Sequence, residues 1–477
     1  MSLFLVSSSI LGQNLYENYP KKFYLDTDSV RIRISRFPDR SDSDFEWWQK
    51  LKPGDTVSPG TDGADQIKTY IYINNDTVVI PHKCFPYNQK INIKIETPQG
   101  EAILAFRYNG LSASFSQAYM DEARGKASIE HPEVYELANI IWYLSSAASK
   151  TGVRGSSKYH HRVDDYFASF RDHQIFKDSI FNKERENYYD DYFDFRENSF
   201  AFQFDNNSKI ISNNRYFYVI GDNWANESSF FRLLPLVQDF SDKSGFRQFY
   251  KENSFLYNEQ SSKLDELLPL SNMWEWLENE FPDNFKIDSY KIIYSPLITG
   301  SHSTQKYVQV CPPTKGEKDN PLFWEIVMFI CDSEFLDQNS SYTKDQKKGL
   351  MSGIVFTEID HNYVNPESDK YSRKIMDIFN KTEIWNSKDQ IFYKAPKSVF
   401  NEYMTHSLFC LWVLDNFDKE SADVIIKERV AMNQQRRGFI KFEKFNNALI
   451  ELRQKYENKK IAELYPLIID WCSTLED

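Results

Sequence analysis

Short stretches that alternate apolar and polar side chains dominate the first quarter of the chain. Six of them lie between residues 20 and 125, for example at 30–34, 68–73 and 91–95. Turn-prone segments rich in Pro, Gly, Asn and Asp separate the stretches. A period of two predicts strands with one buried face. Six short strands in about 100 residues predict a small β-sandwich, which we place at 14–125.

The apolar period changes from two to that of a helix after residue 130. His131-Pro132-Glu133 opens the first helical run, with proline at a position that suits a first turn. Further helices are predicted at 160–171, 229–251, 262–282 and 321–330, strands at 200–204 and 290–295, and mostly helix beyond 349. We therefore predict an α+β protein in which the β-sandwich precedes a large, mainly helical domain with a few strands, at 126–477.

Charge and cysteine usage exclude two classes of protein. The chain of 477 residues carries 57 Lys and Arg against 69 Asp and Glu, a formal net charge of −12. Nucleic-acid binding depends on clustered Lys and Arg, so no nucleic-acid partner is expected. The five cysteines are dispersed and form no CxxC pair, which argues against a cysteine-built zinc site.

The N-terminus leaves two interpretations open. Residues 3–13 are apolar, end in small side chains and precede polar sequence. This is typical either of the second half of a secretory signal without its positive opening or of a buried first strand. The first places the protein in the periplasm or cell envelope, and the second leaves it in the cytoplasm. No stretch reaches the ~18 apolar residues that span a bilayer, so the mature protein is expected to be soluble, without a transmembrane segment.

Two segments of the C-terminal half could carry chemistry. In the first, 357–366, a helix that reaches the region before Pro366 would place Glu358 and His361 at i, i+3 and Thr357 and His361 at i, i+4, on one face. The residues just before this segment are apolar, so the helix is expected to run through the core. Burying a carboxylate and an imidazole there would be costly unless they were paired or bound to a metal. In the second, 398–412, Ser398 is a plausible N-cap of an apolar helix, on which Glu402 and His406 lie one turn apart.

Together the two helices predict a zinc site. Imidazole nitrogens and carboxylate oxygens suit Zn²⁺, whose catalytic sites keep three protein ligands and one open position. We assign His361, Glu402 and His406 as ligands. Glu358 would be the general base that takes a proton from metal-bound water.

Neighbouring side chains complete the prediction. Asp360, Asn365 and Tyr363 would orient the ligands or contact substrate, since metal-bound imidazoles donate their second N–H to an oxygen. His302, after the strand at 290–295, could polarise a substrate carbonyl. Arg436-Arg437 could bind a substrate carboxylate, but a solvated helix end is the favoured interpretation.

The first segment resembles the His-Glu-x-x-His helix of gluzincin-type zinc metallopeptidases, in which a downstream helix supplies a glutamate ligand. It is most similar to a bacterial family of uncharacterised, often exported proteins whose motif ends in Asn-Pro. By this resemblance Glu358 matches the catalytic glutamate, His361 the second histidine ligand and Glu402 the glutamate ligand. The resemblance implies a zincin-like fold over the helical domain and a peptide or protein substrate.

This chain departs from the family pattern at the first histidine, which is Thr357 here. A threonine hydroxyl is a poor zinc ligand, and His406 is proposed to replace it. The leading hypothesis is a zinc-dependent hydrolase, namely a peptidase. The alternatives are a non-catalytic envelope binding protein on a degenerate peptidase fold, and a satisfied polar network that only clamps two core helices.

Overall fold

The structure is a computed structural model. It describes residues 113, 115–186, 188–216, 228–281, 287–309, 323–337, 341–388, 393 and 395–475, and the backbone of eight strands between 23 and 107. The apolar run at 3–13, with its two interpretations, lies outside the described residues. The chain divides into two compact units. Unit 1 comprises Met1–Glu122, Tyr189–Gln238 and Lys306–Trp324, and unit 2 comprises Ala123–Tyr188, Asp239–Gln305 and Glu325–Asp477.

Six of the eight N-terminal strands coincide with the six predicted ones. The eight are β1 (Phe23–Tyr24), β2 (Val30–Arg36), β3 (Phe45–Gln49), β4 (Thr56–Gly60), β5 (Lys68–Ile73), β6 (Asp76–Pro81), β7 (Lys90–Thr97) and β8 (Gly100–Arg107). β3 and β4 are not among the predicted strands, and β4 includes a predicted turn at 58–60. The eight strands pair antiparallel in two four-stranded sheets, β3-β2-β7-β8 and β1-β4-β5-β6. Whether the sheets pack as the predicted sandwich rests on side chains outside the described residues.

The remaining strands form one hairpin and one four-stranded sheet. The strands are β9 (Lys126–Glu130), β10 (Phe202–Phe204), β11 (Ile210–Ser212), β12 (Ser289–Ser295), β13 (Ser303–Gln309) and β14 (Phe323–Cys331). β10 and β11 pair antiparallel, and the others form a sheet in the order β13-β14-β12-β9. β12 pairs in parallel with both β9 and β14, so the strand predicted at 290–295 is confirmed as a central one.

The helix predicted at 321–330 is wrong, because the described residues of this stretch, from Phe323 onward, form β14. All nine residues of β14 are buried, and so are all seven of β12. A parallel strand covered on both faces is apolar at every position and loses the alternation that marks a half-exposed strand. Such a run cannot be distinguished from a buried helix by periodicity alone.

Helices make up most of the described chain, which is therefore a mixed α/β protein with mainly helical content. The helices are α1 (Gln117–Ala123), α2 (Glu133–Leu144), α3 (Lys158–Phe167), α4 (Tyr188–Asn198), α5 (Ser229–Arg232), α6 (Leu234–Ser244), α7 (Phe246–Glu252), α8 (Ser254–Leu267), α9 (Leu270–Glu280), α10 (Glu334–Asp337), α11 (Lys344–Asp369), α12 (Ser372–Phe379), α13 (Thr382–Trp385), α14 (Pro396–Asn416), α15 (Lys419–Ala431), α16 (Phe442–Lys455) and α17 (Ile461–Cys472). Among the helices of the described ranges, none is both long and apolar enough to cross a bilayer.

Two helix boundaries differ from the predicted ones. α11 continues through Pro366 to Asp369, although the sequence predicts an end before that proline. α14 begins at Pro396, two residues before the predicted N-cap Ser398. Proline suits the first helical position, because its missing N–H would be unbonded there and its φ is already helical.

α14 lies at the centre of the helical part of unit 2. Every residue from Val399 to Val413 is buried, which is typical of a helix covered on all sides. α11 packs against it through aromatic contacts, with the Phe356 ring 5.8 Å from Phe409 and 5.5 Å from Trp412. Polar side chains on these two helices are therefore held in a closed apolar surrounding, where each needs a partner.

Candidate functional site

The two helices bring the predicted ligands together. His361 on α11 places Nε2 3.5 Å from Oε1 of Glu402 on α14. His406, one turn along α14, places Nε2 3.6 Å from the other oxygen, Oε2. Glu402 therefore lies between the two imidazoles. Two ligands of one tetrahedral zinc, each bonded at 2.0–2.1 Å, would be about 3.3 Å apart, slightly closer than these N–O separations.

Two arginines also belong to this cluster, and the sequence did not predict them there. Arg437 donates from a terminal guanidinium nitrogen to Oε2 of Glu402, and from the same nitrogen to the Tyr393 hydroxyl at 2.7 Å. Arg429 on α15 places its NH1 nitrogen 3.2 Å from Nδ1 of His406. We call Glu358, Asp360, His361, Tyr393, Glu402, His406, Arg429 and Arg437 the helix-pair site.

The contact with Arg429 fixes the proton on His406. A guanidinium can only donate, so Nδ1 of His406 must accept and the single proton of the neutral ring resides on Nε2, facing Glu402. Burial lowers the pKa of His406 to about 3, and the positive charge of Arg437 acts in the same direction. His406 is therefore a neutral imidazole that presents N–H to the Glu402 carboxylate.

Glu402 is an ionised carboxylate in a buried place. Burial alone would raise its pKa, but Arg437 and the two histidines outweigh that effect and hold the pKa at about 2. Its side chain is only 8% exposed. Because the arginine neutralises it directly, the charge of Glu402 is compensated by the protein chain itself.

Asp360 behaves in the opposite way. It is fully buried beside the Thr405 hydroxyl, which acts on its carboxyl group as a hydrogen-bond donor. Burial raises its pKa well above the usual value, and the charges of Glu402 and Glu358 raise it further. Burial and the two neighbouring carboxylates thus favour the protonated form of Asp360 beside the ionised Glu402.

The site is reachable from solvent on one side. The His361 side chain is 23% exposed and that of Arg437 is 29% exposed, whereas Glu402 and His406 lie beneath them. Glu358 and Tyr393 are half-buried. The charge of Glu358 acts on Arg437, Tyr393 and Asp360, so its carboxylate lies near this cluster.

The remaining predicted site residues take other partners. Thr357 donates its hydroxyl back to the carbonyls of Gly353 and Ile354, at 3.0 and 3.2 Å, as a threonine inside a helix commonly does. Asn365 accepts from Asn401 at 2.8 Å. The Tyr363 hydroxyl bonds that of Tyr290 on β12 at 2.9 Å. His302 lies in the chain between β12 and β13.

The solvated helix end predicted for Arg436-Arg437 holds for Arg436, which is exposed, and is wrong for Arg437. No signal in the local sequence distinguishes the two arginines. The distinction comes from a π-helical turn, Met432–Arg436, at the end of α15. The extra residue of a π turn rotates the next residues about the helix axis, and Gly438, with φ +73°, then redirects the chain.

The donor set as arranged does not fit a zinc ion. Metal-bound imidazoles donate their second N–H to an acceptor, but the second nitrogen of His406 faces the donor Arg429. One oxygen of Glu402 is already taken by Arg437. In the described part of the chain, no group of three or more His, Cys, Asp or Glu side chains is placed to hold a metal. Zinc bound by His361, Glu402 and His406 therefore stays a prediction that requires rearrangement of both arginines.

Comparison with known proteins adds no family to this description. No protein-family model, no curated protein and no solved structure matches the chain. The resemblance to zinc peptidases therefore rests on the two segments around His361 and Glu402 and stays a prediction.

Proposed function

We propose that the protein binds a peptide or another amide-bearing ligand at the accessible side of the helix-pair site and does not turn it over. This is the non-catalytic alternative predicted from the sequence. The observation that carries it is the grouping of half-buried donors and acceptors over a buried, ionised glutamate. Arg437, Tyr393 and His361 carry hydrogen-bond donors and Glu358 carries acceptors, and all four side chains are half-buried.

A peptide matches this combination. Each peptide group offers one N–H donor and one C=O acceptor, so a surface with both kinds of partner can satisfy it. The charges of the site also favour a neutral ligand. The ionised Glu402 faces the guanidinium of Arg437, and burial favours the neutral forms of Asp360 and His406. A strongly charged ligand would leave an uncompensated charge in a largely buried place.

Binding can be tested with a library of N-acetylated, C-amidated tripeptides, measured by thermal shift and then by calorimetry on the hits. Wild type is expected to bind saturably, and Glu358→Ala and His361→Ala to lose at least tenfold in affinity, since each removes one hydrogen-bond partner. Lys348→Ala, on the same helix at a half-exposed position, is the matched control and should bind as wild type. Equal affinity in all four proteins would overturn the assignment to this site.

The zinc-dependent hydrolase is the second candidate, favoured by the two N–O separations of 3.5 and 3.6 Å. It predicts about one zinc per chain in protein purified without chelator. It also predicts hydrolysis of a fluorescent casein that is abolished in Glu358→Gln while the metal content is kept. Turnover with these properties would reject the non-catalytic proposal.

A further inference from the structure

We infer that Arg429 and Arg437 supply, from the chain itself, the positive charge that a metal ion would supply at this helix pair, so that the site is a guanidinium-compensated, metal-independent one. The inference concerns the site of the proposed function but depends on no ligand. A failure of peptide binding therefore leaves it standing, and its own failure leaves peptide binding open.

Arg437 is held in place by two aromatic rings and by the hydrogen-bonded backbone on both sides of it. Its guanidinium lies 5.2 Å from the ring centre of Tyr393 and 5.4 Å from that of Phe439. The backbone around it is bonded on both sides, with Ser387 N–H donating to Gly438 C=O at 2.7 Å and Phe439 N–H to Asn433 C=O at 2.9 Å. The contact of Arg437 with Glu402 is therefore built into the turn and is not a chance position of a long surface side chain.

Arg429 is buried more deeply. It is 9% exposed, lies 4.4 Å over the ring of Phe409, and packs against α11 at Gly353. Burial lowers its pKa to about 10, which still leaves the guanidinium charged at neutral pH. Burying a charged guanidinium is costly unless neighbouring groups interact with it. Here the guanidinium of Arg429 contacts His406 and interacts electrostatically with Asp360.

The arginine contacts show what an added metal would meet. Arg437 donates to Glu402 and Arg429 faces His406, so a divalent cation between these ligands would lie close to two fixed guanidinium groups. Positive charges that lie close together repel strongly in a buried place from which water is excluded. A metal could bind only after at least one arginine withdrew, which the packing of Arg429 and the bonded turn of Arg437 both oppose.

The test combines metal analysis with a charge-swap cycle on the full-length chain. Wild type purified without chelator is expected to contain substoichiometric zinc and to show the same melting temperature with EDTA and with added ZnCl₂. Arg437→Met should lower the melting temperature by roughly 5–10 °C, because it leaves Glu402 as an uncompensated buried charge. Arg437→Lys should lose less, and Arg436→Ala, at the exposed neighbour, should change nothing measurable.

The double variant Glu402→Gln/Arg437→Met decides whether charge compensation is the reason. It should recover most of the stability lost in Arg437→Met, since the buried charge is removed with its partner. Two results would overturn the inference: stoichiometric zinc whose removal by EDTA lowers the melting temperature of wild type, or an Arg437→Met loss that Glu402→Gln leaves unrelieved. If Arg437→Met does not fold, a folded double variant supports the inference, and an unfolded double variant rejects it.

Discussion

Arg429 occupies the space in which a side chain on Gly353 would begin. A Cβ built on Gly353 would lie 1.8 Å from the NH2 nitrogen of Arg429. One turn earlier on α11, a Cβ on Gly349 would lie 2.2 Å from the Cδ1 atom of Ile425. The two glycines, four residues apart on one face, thus let α15 approach the backbone of α11, and this close approach carries a charged group to His406.

Gly353→Ala is therefore expected to destabilise the protein by about 1–3 kcal/mol, although alanine is the better helix former, because Arg429 must leave its place. Chemical denaturation followed by circular dichroism measures the loss. The same substitution should cost clearly less in an Arg429→Ala background. Gly300→Ala is the control, because its Cβ would meet only the Cα of Gly152, at 3.8 Å. Equal costs for Gly353→Ala and Gly300→Ala would show that Arg429 is not seated as described.

Asp360→Asn is expected to stabilise the protein at neutral pH by on the order of 1 kcal/mol. The pKa of Asp360 is raised in the folded state, so in wild type the unfolded chain releases this proton near pH 4 while the folded chain keeps it. The contribution of Asp360 to stability is thus present below pH 4 and is lost as pH rises. Asparagine has nearly the same shape and no such loss. Urea denaturation from pH 4 to 7 should show the advantage of the variant growing with pH, and a constant difference would contradict a neutral Asp360.

Glu402→Gln should show the opposite pH dependence. The pKa of Glu402 is lowered to about 2 in the folded state, so its ionised form contributes stability above its usual pKa and loses it as pH falls toward 2. The shift corresponds to on the order of 3 kcal/mol at neutral pH, shared with Arg437. The cost of Glu402→Gln is therefore expected to be largest at pH 6–7 and to shrink below about pH 4.5. A cost that does not change between pH 7 and pH 3 would mean that Glu402 is not held ionised by its neighbours.

The sequence predicts the helices of this site more completely than its chemistry. Glu402 and His406 lie one turn apart on a strongly apolar helix, and His361 precedes them by a spacing that two packed helices can satisfy, so the convergence of these three groups follows from periodicity. Arg429 and Arg437 could not be predicted in the same way. Both come from a later helix and the turn that ends it, and periodicity does not specify which face turns toward α14.

Glycine offers the one sequence signal that could have revealed Arg429. Gly349 and Gly353 lie four residues apart inside α11, where each costs about 1 kcal/mol relative to alanine. Such a cost is tolerated where a second element must come close to the backbone. β14, in contrast, has no such signal. An apolar run that is buried on both faces does not alternate, so its sequence does not predict a strand.

Alkaline pH is expected to unfold the protein through its buried tyrosines. Burial, reinforced by Asp164, raises the pKa of Tyr143 to about 12, and burial raises that of Tyr192 to about 12 as well. The pKa values of Tyr290 and Tyr465 are shifted well upward for the same reason. Each tyrosine makes its full contribution to stability below about pH 10, which is the pKa of tyrosine in the unfolded chain. The contribution is lost as pH rises through the pKa of the folded state.

Circular dichroism and tyrosinate absorbance, recorded together from pH 8 to 13, check this expectation. The two signals should change in one cooperative step near or above pH 11, because the shielded tyrosines ionise only as the fold opens. Gradual ionisation near pH 10 with an unchanged fold would show that these hydroxyls are open to water. Tyr143→Phe should move the step slightly upward, since it removes one group that favours the unfolded chain at high pH.

Tyr159→Phe tests a second buried polar cluster in unit 2. The Tyr159 hydroxyl donates to Oε1 of the fully buried Glu136 at 2.8 Å and lies 2.7 Å from the Tyr257 hydroxyl, while Nε2 of His131 lies 3.0 Å from Oε2 of Glu136. Removing the hydroxyl leaves one carboxylate oxygen without its donor, so a loss of about 1–3 kcal/mol is expected in urea denaturation.

Tyr166→Phe is the matched control, because the Tyr166 hydroxyl bonds only the Gly245 carbonyl at 3.2 Å in a less buried setting, and about 0.5–1 kcal/mol is expected there. If the Glu136 contact is the reason for the larger loss, Glu136→Gln combined with Tyr159→Phe should cost less than the sum of the two single changes, since both act on one hydrogen bond. Strict additivity would instead assign the cost of Tyr159→Phe to its contact with Tyr257.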